Sequence, residues 1–552
     1  MFRVIGRGDR FPQRGLPAFV LRQDRWDDFG FKTQYSLTYV DHPSSNKVSE
    51  PVHIGSVKIL KRGQSETLES LLNNDFEALD ESYCSIGQSL DYYERLAELG
   101  QDKRDHVLLG LRDIVKYPEF GENFRSQKGW GTSLFREVNE DGEFVLLARS
   151  LLSGDYTSLP ANDLRFVFKT ASMQEPIQFD FTAPRTDREV PSFSSSVSTL
   201  PSRISVLIGR NGSGKSTLLA RLARVAHGSM SNRTHQPLIQ LGEISPLGIG
   251  FPRVLTISYS AFDSFRVPGV SRAEQEQIIR DLERGEGRFI FCGLRDIAEE
   301  LRQELEILPA ADPDDAESTV IDPDRLRRTL LKPIEKLADE FVRTLDRIAA
   351  KDRSDLFDVS LDKLLSDPSF NDMRGMTLSQ LREGNPRNLF LTWSTGHKIV
   401  MQIVSSITAH AEPKSLILID EPETHLHPPL LAALMHAIRS ILKATKSFAI
   451  VATHSPVILQ ETLARHVIVV TREGQTTAIR PPTTETFGEN IGTVTSEVFG
   501  LNSEVTDFHT ILDKLVERYN SLDDIEALFE HGGLSLQARA YTMSKLSAIS
   551  GD

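Results

Sequence analysis

Apolar and polar positions alternate in the first part of the chain, as in Phe31-Lys32-Thr33-Gln34-Tyr35-Ser36-Leu37-Thr38-Tyr39-Val40 and Val57-Lys58-Ile59-Leu60. That period of two predicts a small β-sheet from Trp26 to about Leu60. The spacing lengthens to three and four in Leu90 to Leu99 and in His106 to Val115, which predicts helices, and mixed strand signals then run to about Ser158. Residues 1–160 read as one α+β unit.

Strand patterns resume at Leu164 to Phe168 and Ile177 to Phe181, and a serine-rich loop, Ser192 to Ser202, leads into the nearly continuous apolar run Ile204 to Ile208. Another strand is predicted over Val254 to Tyr259. From about Ser271 to Asn385 the pattern is helical and charged, broken by the acidic loop Pro309 to Asp315. Within it Leu326, Leu330, Ile334, Leu337, Phe341, Leu345 and Ile348 recur at helical steps, with Pro333 at a helix start. A helical lobe packed on itself is expected there rather than an extended coiled coil. Strand, helix and strand return from Leu389 to about Arg480, and Asp507 to Ser550 reads as two or three short helices that cap the core or dock a partner. The expected division is thus an N-terminal unit (1–160), an α/β core (161–270 and 386–480), a helical insertion (271–385) and a C-terminal helical region (481–552).

Composition adds exclusions. No apolar run approaches the ~18 residues needed to cross a bilayer, and no apolar segment follows the charged N-terminus as in a secretory signal, so a cytoplasmic protein is expected. The net charge of -14 argues against a surface that coats DNA. Locally, Arg3, Arg7, Arg10, Arg14, Arg22 and Arg25 face only Asp9 and Asp24, which reads as a solvated arm or a basic groove. Cys84 and Cys292 are too few and too far apart for a disulfide framework or a zinc site.

The chemistry is concentrated in three places. After the apolar run comes Gly209-Arg210-Asn211-Gly212-Ser213-Gly214-Lys215-Ser216-Thr217, followed by an amphipathic stretch. A buried strand, a glycine-rich loop and a helix N-terminus form the context in which backbone N–H groups cradle phosphates. Lys215 is placed to reach β- and γ-phosphates and Ser216 to ligate Mg²⁺. The strand Ser415 to Ile419 ends in Asp420 and Glu421, at the sheet edge where ligands sit in parallel folds. There Asp420 is placed to hold Mg²⁺ and Glu421 to polarise the attacking water. Finally, Phe448 to Thr453 ends in His454, a candidate sensor of the γ-phosphate.

Asp420-Glu421-Pro422-Glu423-Thr424-His425-Leu426-His427-Pro428 followed by Ala452-Thr453-His454-Ser455-Pro456 resembles the ABC-type ATPases of the overcoming-lysogenisation-defect and SMC-like group. Ser394-Thr395-Gly396-His397-Lys398 is similar to their signature motif. The resemblance implies an ABC-type P-loop ATPase fold with ATP and Mg²⁺ as cofactors. It also implies a dimer in which Ser394 and Gly396 touch the γ-phosphate bound by the other subunit. The long insertion, Ile257 to Asp263 and Glu485 to Asn490 look most like the ATPase subunits of Septu-type anti-phage systems, including retron-linked ones. That likeness implies a separate HNH nuclease as partner, and nucleic acid or a retron's reverse transcriptase and msDNA as others. No glutamine stands where the group's glutamine loop has one, which leaves Ser260 or Asp263 to take its Mg²⁺-proximal place, or leaves that place unfilled. An ATP-locked scaffold with little turnover and a DNA-clamping repair ATPase are the competing readings.

Overall fold

A computed structural model of the chain describes residues 1–24, 28–41, 51–65, 72, 74–136, 140, 142–160, 163–182, 200–307, 324–326, 328–499, 507–519, 521–529 and 533–550. Arg25, Trp26, the acidic loop Pro309 to Asp315 and Ser192 to Thr199 lie outside the described residues.

The N-terminal unit is a five-stranded sheet in chain order, β1 (Phe2–Ile5), β2 (Ala18–Gln23), β3 (Gln34–Val40), β4 (Val52–Lys61) and β5 (Tyr83–Gly87). Strands β1 and β2 are parallel and the rest antiparallel. The arginine-rich start is therefore not a solvated arm. Phe2, Val20 and Leu21 are fully buried in the sheet, while Arg3 pairs with Asp75 at 2.8 Å and Arg22 lies 4.5 Å over the Phe11 ring. The apolar residues between the arginines decide the fold, and the charges snorkel to its margin. A second correction concerns the stretch to Ser158. Its described residues include the helix Glu143–Ser153, whose Phe144, Leu147, Ala148 and Leu151 form one buried stripe at helical spacing.

Beneath this sheet lies a buried ion pair. Lys58 Nζ stands 2.8 Å from Asp28 Oδ2, with both side chains almost wholly buried, and Arg136 holds the other oxygen at 2.8 Å. Ser133 Oγ donates to Asp28 at 2.8 Å, and Lys58 donates to the Ser133 carbonyl at 3.0 Å.

Ten further strands follow: β6 (Arg165–Lys169), β7 (Ile177–Asp180), β8 (Ile204–Ile208), β9 (Glu243–Ser245), β10 (Val254–Ser258), β11 (Phe289–Gly293), β12 (Leu416–Asp420), β13 (Phe448–Thr453), β14 (Val467–Glu473) and β15 (Thr476–Arg480). Seven form one sheet in the order β11-β10-β12-β13-β8-β14-β15, parallel except for β15. An antiparallel trio, β7-β6-β9, stands apart. Alternate residues of the parallel strands enter different cores. Leu207, Leu418 and Ile450 pack with the helix Lys215–His227 and with Phe166 and Phe179 of the trio. Val206, Ile417 and Val451 face the other layer of helices. This burial on both faces is why these strands read as apolar runs.

The expected helical insertion differs in two ways. Phe289–Gly293 is not helical but forms β11, paired with β10 in register from Val254↔Phe289 to Ser258↔Gly293. A five-residue apolar run carries too little periodicity to separate strand from helix, and here the open sheet edge recruits it. Nor does the lobe pack only on itself. Leu337, Phe341 and Leu345 of the helix Ile334–Ala350, which does start after Pro333, share one core with the sheet and with the helices Thr395–His410 and Pro428–Thr445. At the C-terminal end come helices Asp507–Tyr519, Leu522–Glu526 and Leu536–Ser550.

The N-terminal unit is fastened to the core by charged contacts at the end of the parallel sheet away from the phosphate loop. Arg288, just before β11, donates to Asp91 at 2.6 Å, and His227, the last residue of the helix Lys215–His227, is 3.2 Å from the same carboxylate. Arg253, just before β10, pairs with Glu94, and Lys414, just before β12, with Glu143 at 2.7 Å. Among the described residues, no helix is long and apolar enough to cross a membrane.

Candidate functional site

Strand β8, buried at all five positions, delivers Gly209 to the C-terminal edge of the sheet. A side chain at Gly209 would collide with the Val470 carbonyl of β14, so the loop can turn tightly only over a glycine. Gly212 and Gly214 take φ of +79° and +96°, the left-handed values that aim successive N–H groups inward at the start of the helix Lys215–His227. Lys215 is almost fully buried and donates to the Gly209 and Arg210 carbonyls at 2.9 and 3.2 Å. Its burial lowers the ammonium's pKa. Ser213 Oγ is buried with no hydrogen-bond partner among the described residues. Arg210 and Asn211 are exposed at the rim, and Thr217 is half-buried.

Two strands away, β12 ends at Asp420, whose Oδ1 accepts from Ser216 Oγ at 2.9 Å. Burial raises the Asp420 pKa to about 7, and the Glu421 and Asp263 carboxylates add to the rise against the pull of Ser216 and Lys215. Glu421 follows with φ +46°, its N–H bonded to the Ala452 carbonyl at 2.8 Å. This left-handed turn leaves the carboxylate about one-third exposed. Strand β13 brings His454 alongside, with Nδ1 3.8 Å from Glu421 Oε1 and 3.0 Å from Glu423 Oε1.

Glu423 is a residue to which the sequence reading gives no role. Its Oε1 also accepts from Thr453 Oγ1 and from the His454 N–H, both at 2.7 Å, and its Oε2 is buried without a partner. A carboxylate three residues after Asp420, inside the same short motif, was the available signal.

On the other side of β12, Ser258 of β10 stands in register with Asp420 and its Oγ is buried with no partner among the described residues. Of the two candidates after this strand, Ser260 Oγ accepts from the Phe262 N–H at 3.3 Å. Asp263 is buried, accepts from the Phe265 N–H at 2.9 Å and pairs with Arg295 at 3.3 Å. A cavity of about 30 Å³ lies among Ser216, Ser258, Asp263 and Asp420, enough for a water or a small ion.

These groups fit a metal-bound triphosphate. Hydroxyl and carboxylate oxygens are the hard donors that Mg²⁺ requires. The unpartnered Ser213 hydroxyl and a lysine resting on loop carbonyls offer donors to an incoming anion. Gly209 to Thr217, Asp420, Glu421 and His454 thus converge at one sheet edge. Ser394 and Gly396 lie on another element, the N-terminus of the helix Thr395–His410. There Ser394 is exposed and accepts from the His397 N–H at 3.3 Å, and His397 sits 4.1 Å from the Phe370 ring.

Residues 204–460 match a family model described as "AAA domain, putative AbiEii toxin, Type IV TA system". Among solved structures, the SMC head domain from Thermotoga maritima aligns at 14% identity over 58% of this chain and 100% of that chain, with a TM-score of 0.26. Over 568 residues the chain is 31% identical to protein ea59 of Escherichia phage lambda, covering 98% of this chain and 96% of that protein. With its phosphate loop and acid-tipped parallel sheet, the chain carries a P-loop ATPase domain and belongs to the family of protein ea59 of phage lambda.

Proposed function

We propose that this chain binds and hydrolyses MgATP and uses the nucleotide state to set the geometry of a dimer that controls an effector. The observation that carries this reading is the convergence of Lys215, the Ser216–Asp420 pair, Glu421 and His454 at one edge of a parallel sheet. Gly209 to Thr217 would cradle the phosphates, with Lys215 exchanging its loop carbonyls for β- and γ-phosphate oxygens. Ser216 and Asp420 would hold Mg²⁺, which neutralises phosphate charge when bound. Glu421, turned outward, would polarise the attacking water. His454, anchored through Nδ1 by Glu423, would present its other nitrogen to the γ-phosphate.

Ser394 and Gly396 are the proposed contacts in trans. The helix they open is 16 residues long and presents its N-terminus at the surface, a ready anion site for the γ-phosphate bound by a second copy. In this reading the protein acts in the cytoplasm and its effector is a nuclease. The finer assignment to Septu-type or retron-linked anti-phage defence rests on motif resemblance alone, and the phage-encoded relative adds nothing to it. Finding an HNH nuclease or a reverse transcriptase in the neighbouring reading frame would favour that assignment. Salt-dependent DNA binding by the isolated chain would instead favour a clamping ATPase. A nucleotide-locked scaffold is supported by one observation, that Asp263 is tied to Arg295 where the resembled group has a glutamine.

Replacing Lys215 with Ala tests the shared premise. MgATP affinity should fall roughly ten- to a hundredfold, the loss expected for one or two charge-assisted hydrogen bonds. Unchanged affinity, measured by titration calorimetry on a folded variant, would remove Lys215 from the phosphate site and the reading with it.

A further inference from the structure

A cavity of about 350 Å³ opens beside the edge strand β11, between it and the helix Ile334–Ala350. Its size falls within the roughly 300–1,000 Å³ of small-ligand pockets. The charges that line it do not cancel. Each of its four carboxylates already has a cation: Asp296 has Lys336 at 2.6 Å, Glu340 has Lys332 at 2.8 Å, Asp339 has Arg387 at 2.6 Å, and Glu283 has Arg302. Arg284 and Arg343 line the same space with no carboxylate partner among the described residues. Among the described residues Arg347, one turn beyond Arg343 on the same helix face, comes no nearer to a carboxylate than 3.8 Å, at Glu286. It lies 3.3 Å from His410 Nδ1, whose pKa is held well below the usual imidazole value by burial and the surrounding cations. Ile290, Phe291 and Ile297 add apolar lining.

We propose that this cavity is a second ligand site, taking an organic phosphate of mononucleotide size. Its phosphate would engage Arg284, Arg343 and Arg347, and its apolar body would lie against Ile290 and Phe291. Guanidinium forks match phosphate oxygens in geometry, and three of them supply the charge that a dianion needs.

Arg295 gives the site a route to the nucleotide. Its side chain is fully buried and borders both this cavity and the small one at Ser216 and Asp420. It donates to Glu300 at 2.6 Å on one side, and on the other to the Phe265 carbonyl at 2.9 Å, beside Asp263 at 3.3 Å. Because Arg295 lines the cavity together with the three arginines, a ligand seated there that shifts its side chain would change how Asp263 faces Asp420, and occupancy would then regulate turnover. This regulatory half rests on the ATPase reading, whereas the binding half does not.

The test uses the full chain carrying Lys215→Ala, so that the phosphate loop does not compete, titrated with AMP, GMP, CMP, UMP, inorganic phosphate and citrate. One saturable site for a nucleoside monophosphate is expected, weakened at least tenfold by Arg343→Glu with Arg347→Glu. The exposed Arg343→Gln, which leaves packing alone, should show a smaller loss in the same direction. No saturable binding of any nucleoside monophosphate, or equal binding by the arginine variants, overturns the site. Citrate or inorganic phosphate binding as tightly as the best mononucleotide overturns the assigned ligand class. In the unsubstituted chain, the bound mononucleotide should change ATP turnover at least twofold, and Arg295→Lys should abolish that change while keeping the ligand bound. Absence of ATP turnover would defeat the functional reading and leave the binding result standing, whereas normal turnover indifferent to the ligand would overturn the coupling alone.

Discussion

Replacing Glu421 with Gln is expected to lower ATP turnover by roughly two to four orders of magnitude while leaving MgATP affinity close to that of the unsubstituted chain. The expectation follows from placement. Asp420 is buried and bonded to Ser216, whereas the left-handed backbone at Glu421 swings the next carboxylate out toward solvent and His454. The amide keeps the shape and loses the ability to take a proton. Single-turnover and steady-state hydrolysis, measured beside nucleotide affinity, separate the alternatives. A fall in turnover with binding intact supports a hydrolytic cycle. If the unsubstituted chain barely turns over and the variant matches it, the protein is an ATP-locked scaffold instead.

The second large effect is on stability. Lys58→Met should destabilise the N-terminal unit by about 3–5 kcal/mol, because it strips the more buried of two cations from the fully buried Asp28 and leaves Arg136 and Ser133 to hold the charge. Pairing Lys58→Met with Asp28→Leu should recover much of that loss, since the desolvated charge is removed as well. Denaturant unfolding followed on both variants checks this. A loss below about 1 kcal/mol for Lys58→Met would mean that the pair is structurally idle.

The same carboxylate fixes an acid limit. Burial alone would raise the Asp28 pKa, but Lys58, Ser133 and Arg136 outweigh it and hold the group below its ordinary 3.8. A group with a depressed folded value stabilises fully above its unfolded value and loses that contribution as pH falls through the folded one. Stability should therefore drop on acidification below about pH 4, with Asp28→Asn showing a shallower acid slope over that window.

The placement of the phosphate loop and its acids was legible because its parts are contiguous. A phosphate loop is one short loop with its strand and helix, and Asp420 and Glu421 are adjacent, so local spacing carries most of their geometry. What sheet order creates was not legible. Ser258 meets Asp420 only because β10 lies beside β12, although Lys215 to His227 follow β8 and more than a hundred residues separate β10 from β12. Strand β11 escaped notice because Phe289 to Gly293 is too short for its period to declare itself amid helical neighbours. The arginines before residue 25 misled in another way, since frequent charges masked the apolar positions that build β1 and β2.

The helix behind the phosphate loop is about 20 Å long, at 1.5 Å per residue over its 13 residues. One end opens at the phosphate loop and the other, through His227, touches Asp91 of the N-terminal sheet unit. It can therefore act as a push rod. If the chain binds and hydrolyses ATP as proposed, a small axial shift on nucleotide loading would arrive at the far face of the molecule as displacement.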